Sequence, residues 1–239
     1  MSRDFEFGGA IPPWGRSAAE YEAFFDLKDL PSSARVLDCG SGPASFAAEW
    51  SGQGRFVVAA DPVYQRLGNE IEADFEPTAD RMREGMRKAF DRFIWKDYKD
   101  PEDVITRRRA SLKRFLADFQ TGVRAGRYVA ARLPELPFAS GTFDLALCAH
   151  LLFIYSDELS LEQHIAFLRE LLRVGREVRV FPLLDMQGQR SKYIDPVMNE
   201  LQSLARVDLV RVPFEFRPGD CFMLRLRKDL VHVPEIANR

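Results

Sequence analysis

Two short apolar runs in the first part of the chain each end in a carboxylate. The first run, 36–38, leads into the loop 39–42, and the second run, 56–60, leads into Asp61. Short apolar runs bounded by glycine, proline or acidic residues are typical of buried strands. With the helix that we expect over 43–50, they predict a strand–helix–strand unit of a parallel α/β sheet.

Later apolar runs continue this pattern toward the end of the chain. Strands are predicted near 128–130, at 143–149, at 177–184, and in a closing hairpin that joins 207–216 to 221–227. Ser17 and Glu20 have the spacing of a capping box and predict a leader helix before the first strand. Ser160 is expected to begin a later helix, which carries His164 on an exposed turn and ends at Gly175.

The segment between Asp61 and the strand near 128–130 is far longer than one helix and two short loops require. Met82 and Met86 recur at helical spacing with the phenylalanines that follow them, and Asp100-Pro101 has the pattern of a helix start. We therefore predict one domain over 1–239, with a helical insertion over 66–126 that caps the carboxyl edge of the sheet.

The composition supports a buried core and gives no sign of a strongly charged partner. The chain has 239 residues, 46% of them apolar, and a formal net charge of −2, so we expect no nucleic-acid partner. Three cysteines cannot all pair, and their spacing matches no zinc motif, so we expect no metal site. No apolar run approaches the roughly 18 residues of a membrane span, and we expect a cytoplasmic protein with no membrane partner.

The loop after the first strand has the character of a ligand cradle. A strand that ends in Gly-x-Gly and turns into a helix leaves backbone N–H groups bare, and Gly42 removes a Cβ from the path of a ligand. Asp61 should lie beside this loop, where a carboxylate can accept hydrogen bonds from both ribose hydroxyls. The pattern predicts a nucleoside site, of which a dinucleotide-binding domain is one form, although Ser45 replaces its third glycine.

Further motifs make a specific resemblance. The motif 36–42, Asp61 and the unit Leu136-Pro137-Phe138 followed by Phe143-Asp144-Leu145 resemble the class I S-adenosylmethionine-dependent methyltransferases with a Leu-Pro-Phe turn. The resemblance covers about 17–65 and 127–229. It implies a Rossmann-like sheet with helices on both faces and a terminal antiparallel hairpin, and S-adenosyl-L-methionine as the cofactor. The cofactor-binding residues that it implies are Asp38, Cys39, Gly40, Ser41, Gly42, Asp61, Pro62, Arg132, Leu133, Ala149 and His150.

One position departs from the family pattern. Arg132 stands where many members carry an acid that accepts a hydrogen bond from the adenine amine, and an arginine cannot accept one. Adenine recognition would then fall to backbone groups around Arg132 and Leu133, or the cofactor preference would be altered.

The resemblance implies methyl transfer to a small or medium-sized acceptor, and the basic run over 107–114, in the insertion that the resemblance does not cover, predicts an anionic one. His150 is the candidate general base, because it follows a strand at the mouth of the site and its pKa is useful near neutrality. Tyr155, Arg108 and Arg109 are candidates for acceptor contacts, since arginine forks match anions, although a basic run also suits a solvated helix face. An RNA-modifying methyltransferase and a non-catalytic protein that binds S-adenosylmethionine or S-adenosylhomocysteine remain alternatives. The sequence determines neither the acceptor nor the oligomeric state.

Overall fold

Seven strands form one sheet in the computed structural model, which describes residues 14–228. The strands are β1 (Val36–Cys39), β2 (Val57–Ala60), β3 (Tyr128–Val129), β4 (Phe143–Ala149), β5 (Gly175–Phe181), β6 (Arg206–Arg211) and β7 (Phe222–Arg227). Their order is β3-β2-β1-β4-β5-β7-β6; the first five are parallel, and β7 is antiparallel to both of its neighbours. This order confirms the predicted Rossmann-like sheet with its terminal antiparallel hairpin.

Within residues 14–228, seven α-helices surround this sheet. They are α1 (Ala18–Phe25), α2 (Phe46–Gly52), α3 (Gly68–Ala73), α4 (Phe75–Lys88), α5 (Pro101–Arg124), α6 (Leu161–Val174) and α7 (Ile194–Leu201). Because side chains alternate along a strand, Val36 packs into a core with α1 to α5, whereas Leu37 packs into a second core with α6 and α7. Both faces of the parallel strands are therefore buried, as the unbroken apolar runs indicated.

Local signals place most of the element boundaries. The Ser17–Glu20 and Ser160–Gln163 capping boxes begin α1 and α6, and the Asp100 side chain accepts a hydrogen bond from Asp103 N at the start of α5. We expected β5 to continue to 184, but it ends at Phe181, because Pro182 has no N–H to continue the hydrogen-bond ladder. The expectation for His164 was also wrong. Its side chain is buried, because the rings of Phe153 and Tyr193 pack against it.

The segment 66–126 contains α3, α4 and α5. Helix α5 packs against the sheet, where Phe115 and Phe119 contact the rings of Tyr64 and Tyr128. Ser111 of this helix donates to the Ser45 side chain beside α2. Helix α4 instead reaches the carboxyl edge of the sheet. The cap function of 66–126 within a single domain stays a prediction.

The contact between α5 and β3 requires a glycine at position 122. A Cβ built on Gly122 would lie 2.3 Å from a ring carbon of Tyr128, whereas one on Gly52, in α2, meets nothing within 4 Å. We expect Gly122→Ala to lower the free energy of unfolding by about 1 to 3 kcal/mol, because the ring must shift. Urea unfolding of Gly122→Ala and of the control Gly52→Ala checks this, and equal stability of the two variants would contradict it.

Candidate functional site

The loop after β1 is held against the end of β2 by two hydrogen bonds from its backbone N–H groups. Gly40 N donates to Ala60 O at 2.8 Å, and Gly42 N donates to Asp61 Oδ2 at 2.9 Å. Val63 N donates to the other carboxylate oxygen of Asp61 at 2.8 Å. Gly40 and Gly42 both have left-handed backbone conformations, with φ of 71° and 52°, which favour glycine. Asp61 is therefore fixed beside the glycine loop, as its spacing in the sequence predicted.

A cavity of about 1160 Å³ opens at this edge of the sheet. It lies where β1 is flanked by β2 on one side and β4 on the other, the position at which the strand order reverses and at which open α/β sheets bind ligands. The sequence-predicted residues that line it are Cys39, Gly40, Ser41, Gly42, Asp61, Pro62, Arg132, Leu133, Ala149, His150 and Tyr155. The structure thus gathers the residues of three distant motifs around one cavity.

Asp38 lies behind the cavity wall rather than in it. Its side chain is fully buried and its Oδ1 accepts a hydrogen bond from Tyr21 Oη at 3.1 Å, while Oδ2 has no partner among residues 14–228. Burial raises the pKa of Asp38 well above its usual value. The Tyr21 ring stacks on Phe46 at 4.3 Å and itself lines the cavity, so Asp38 and the leader helix fix one wall together.

His150 occupies a constrained position at the end of β4. Its backbone has a left-handed φ of 54°, its N donates to Phe181 O at 2.6 Å, and its ring lies against Phe24 and Phe181. The Nδ1 atom is buried and has no hydrogen-bond partner within 14–228. Burial holds the pKa of His150 well below its usual value, and the charges of Arg16 and Arg108 lower it further. The imidazole is therefore neutral near pH 7, and the role of His150 as general base stays a prediction.

Arg16 provides a positive charge on the wall of the cavity. Its Nη1 donates to Trp14 O at 3.1 Å, and its buried Nε has no partner among the described residues. Glu20, whose charge raises the pKa of Arg16, already binds Arg108 Nη1 at 2.5 Å and accepts a hydrogen bond from Tyr98 Oη. Burial and the charge of Arg108 lower the pKa of Arg16 to about 10, which still leaves it charged at pH 7. Two guanidinium groups thus lie close enough to Glu20 to interact with its charge, Arg16 also acts on Asp220, and the Arg16 charge lies on the cavity wall.

The structure places Arg108 and Arg109 in different surroundings, and their contact with the acceptor stays a prediction. Arg109 is exposed, binds Glu76 with its guanidinium at 3.0 Å, and lies outside the walls of the cavity. Arg108 points the other way and is buried, with its charge matched by Glu20. Successive helical residues point about 100° apart, so neighbours in the basic run have different surroundings.

Several residues of this edge carry no sequence signal for a site. Thr78, Arg81 and Met82 of α4 line the cavity opposite the glycine loop, and Glu162 and Gln163 of α6 lie on another side. They lie in helices whose apolar faces are readable from the sequence, but only the packing of those helices shows which polar face meets the cavity.

Among the helices of residues 14–228, none combines the length and the apolar character that a membrane span requires.

The chain was compared with known families, curated proteins and solved structures. No protein-family profile matches it. The solved structures to which it is similar include magnesium protoporphyrin IX methyltransferase from Synechocystis PCC 6803, at 15% identity over 89% of this chain and 78% of that chain, with a TM-score of 0.43. They also include the pyocyanin biosynthetic protein PhzM, at 14% identity over 88% of this chain and 56% of that chain, with a TM-score of 0.48.

A curated protein from Methanocaldococcus jannaschii, named "Uncharacterized protein MJ0045", is related to this chain along almost its whole length. The two sequences are 30% identical over 215 residues, which span 90% of this chain and 95% of the relative. The chain therefore belongs to the family of MJ0045.

Proposed function

We propose that this protein is an S-adenosylmethionine-dependent methyltransferase that acts on a small or medium-sized acceptor. The observation that carries the proposal is the meeting of the Gly40–Gly42 loop with Asp61 at the strand-order reversal, beside a cavity of about 1160 Å³. Strand order, loop and carboxylate are the features that the resemblance to class I methyltransferases requires. When bound, the cofactor would supply an electrophilic methyl group on a sulfonium.

The residues of the cleft fit such a nucleoside. Each oxygen of Asp61 accepts one backbone hydrogen bond and retains capacity for a ribose hydroxyl. Ser41 is held by a 2.6 Å hydrogen bond to Tyr64 Oη, which keeps the loop open toward the cavity. Arg132 is exposed, so the adenine edge would meet the backbone of Arg132 and Leu133. Arg16 would hold a carboxylate, either on the amino-acid end of the cofactor or on the acceptor.

The enclosure of the cavity favours a small acceptor over RNA. Helix α4 lies over one side of the cleft with Met82, and Tyr155 and Phe167 close another side. Two of the arginines that α5 presents to solvent, Arg107 and Arg109, are paired with Asp103 and Glu76, whereas Lys113, Arg114 and Arg124 are exposed without an ion pair among the described residues. The paired arginines provide little uncompensated charge for phosphates, and an RNA backbone is bound mainly by such charge.

Methyl transfer from labelled cofactor tests the proposal. The full chain is incubated with methyl-labelled S-adenosylmethionine and, in separate reactions, with a protein-free small-molecule extract or with bulk RNA. We expect the label in a small molecule, identified by mass spectrometry, and none without the protein. Label in the RNA would support the RNA-modifying alternative. Cofactor binding without any transfer would support a non-catalytic binding protein.

A further inference from the structure

A second, smaller compartment adjoins the cofactor cleft and has its own polar groups. Its volume is about 100 Å³, and it shares Trp14, Met82, His150, Ile154 and Met186 with the main cavity. Met86, Phe93, Val104 and Phe216 give it apolar walls. With about 30 Å³ of liquid volume for one water, such a space admits only a compact chemical group.

Three buried polar atoms of the residues that line this compartment have no hydrogen-bond partner within residues 14–228. They are Oδ1 of Asp220, Nδ1 of His150 and Nε of Arg108. Arg108 binds Glu20 through Nη1, Arg217 donates to Met186 O at 2.8 Å, and Asp185 Oδ1 accepts from two backbone N–H groups. An unsatisfied buried polar atom is costly, and the charge of Arg108 is already matched by Glu20, so Asp220 Oδ1 and His150 Nδ1 mark the place where a ligand could provide a hydrogen bond.

The hairpin holds Asp220 rigidly in this position. Asp220 N donates to Arg217 O at 2.9 Å, and Val212 N donates to Cys221 O at 2.9 Å, so the turn closes on both sides of the residue. The side chain is 7% exposed. Within residues 14–228, Oδ1 of Asp220 accepts no hydrogen bond from a turn or from the start of a helix. This is unusual for a buried aspartate and argues against a purely structural role.

We infer that this compartment receives the nucleophilic group of the acceptor, a hydroxyl, thiol or amine on a compact apolar body, and that Asp220 accepts its proton. The inference rests on the proposed methyltransferase function. The X–H bond of the acceptor breaks, the proton binds Asp220 Oδ1, and the electron pair stays on X. That pair then forms the bond to the transferred methyl carbon, as the carbon–sulfur bond breaks and leaves its electrons on sulfur.

The electrostatic surroundings suit Asp220 better than His150 for this task. Burial raises the pKa of Asp220 to about 7, against the lowering effects of Arg217 and Arg16, and Glu215 adds to the increase. The other charged groups of the compartment are Arg108 and Asp185, on α5 and after β5. A base is most effective when its pKa lies near the working pH, which Asp220 satisfies. The pKa of His150 is held well below its usual value, so the neutral imidazole is a weaker base. His150 is then the group that positions the acceptor.

Three variants test the role of Asp220. Asp220→Asn removes the base and keeps the shape, Asp220→Glu keeps a carboxylate, and the control Glu200→Gln changes an exposed acid of α7 that lines neither compartment. Each variant is titrated with S-adenosylmethionine by calorimetry and assayed with methyl-labelled cofactor and a protein-free small-molecule extract. The infrared difference spectrum between the wild type and Asp220→Asn, recorded over a range of pH, follows the protonation of the Asp220 carboxyl group.

We expect Asp220→Asn to lose about 100-fold or more in methyl transfer, the contribution of a general base, with cofactor affinity within twofold of the wild type. Asp220→Glu should recover part of the rate, Glu200→Gln should match the wild type, and the infrared midpoint should lie near pH 7. Transfer by Asp220→Asn within threefold of the wild type, or an infrared midpoint below about pH 5, near ordinary aspartate, overturns the inference alone. Wild-type protein that fails to bind S-adenosylmethionine, or binds it without transfer, overturns the proposed function and this inference together.

Discussion

Replacing Glu20 with glutamine is expected to lower the free energy of unfolding by about 3 to 5 kcal/mol, the cost of breaking a buried ion pair on one side. Glu20 is 6% exposed and Arg108 is 3% exposed, so neither charge is solvated in the folded protein. Without the carboxylate, Arg108 would remain buried beside Arg16, a second positive charge. Glutamine keeps an oxygen for the Ser17 capping box, which isolates the effect of charge.

A double variant separates the ion pair from general packing. Arg108→Met alone should also be strongly destabilising, because it leaves Glu20 buried without its partner, whereas Glu20→Gln with Arg108→Met should recover a large part of the loss. Glu76→Gln is the matched control, since Glu76 pairs with the neighbouring Arg109 at the surface, where such pairs contribute about 0 to 1 kcal/mol. Urea unfolding of the variants measures these values. Additive losses in the double variant would contradict the account.

The same ion pair predicts a dependence of stability on pH. Burial alone would raise the pKa of Glu20, but Arg108 and the hydrogen bonds from Ser17 and Tyr98 lower it to about 2. The folded pKa lies below the unfolded value, so the stabilisation is fully present above the unfolded value and is lost as pH falls toward 2. The difference in the free energy of unfolding between the wild type and Glu20→Gln should therefore decrease as the pH falls through this range.

Asp61→Ala is expected to weaken S-adenosylmethionine binding by about 1.5 to 3 kcal/mol, roughly 10-fold to 150-fold, the range for hydrogen bonds to a charged group. The carboxylate is the proposed acceptor for both ribose hydroxyls, and it also holds the N–H groups of Gly42 and Val63. Asp61→Asn keeps one oxygen for these N–H groups and should fall between the wild type and Asp61→Ala. Calorimetric titration at one pH and salt concentration gives the three affinities.

Asp74→Ala is the control for this measurement. Asp74 lines the same cavity, but its Oδ2 binds Arg66 Nη1 at 2.5 Å and has no proposed contact with the nucleoside. We expect its affinity for S-adenosylmethionine to stay within twofold of the wild type. An Asp61→Ala protein that binds as tightly as Asp74→Ala would contradict the ribose assignment.

The parts of the fold that the sequence predicted depend on signals that are local in the chain. The alternation of Val36 and Leu37 between two cores, and the glycines of the loop after β1, need no knowledge of distant residues. The position of Asp61 beside Gly42 follows from a strand–helix–strand unit of ordinary length. These features are consequences of strand periodicity and turn geometry, so they could be derived from the residues.

The charges of the site could not be assigned in the same way. Arg107, Arg108 and Arg109 look alike in the sequence, yet they bind Asp103, Glu20 and Glu76 respectively. The partner of Arg108 lies 88 positions away, and only the packing of α5 near the leader helix brings them together. In the sequence, Asp220 has the pattern of an ordinary turn residue, and only the insertion of β7 between β5 and β6 brings the hairpin to the second compartment. Such pairings depend on tertiary packing.

The binding of S-adenosylmethionine to the unmodified protein is the decisive test of the proposed cofactor. Calorimetric titration of the full chain with S-adenosylmethionine, and separately with NADH, compares the two classes of nucleoside that a glycine loop and an acidic residue can bind. The account predicts one binding site for S-adenosylmethionine for each chain and no comparable binding of NADH. Binding of NADH with no heat from millimolar S-adenosylmethionine would contradict it.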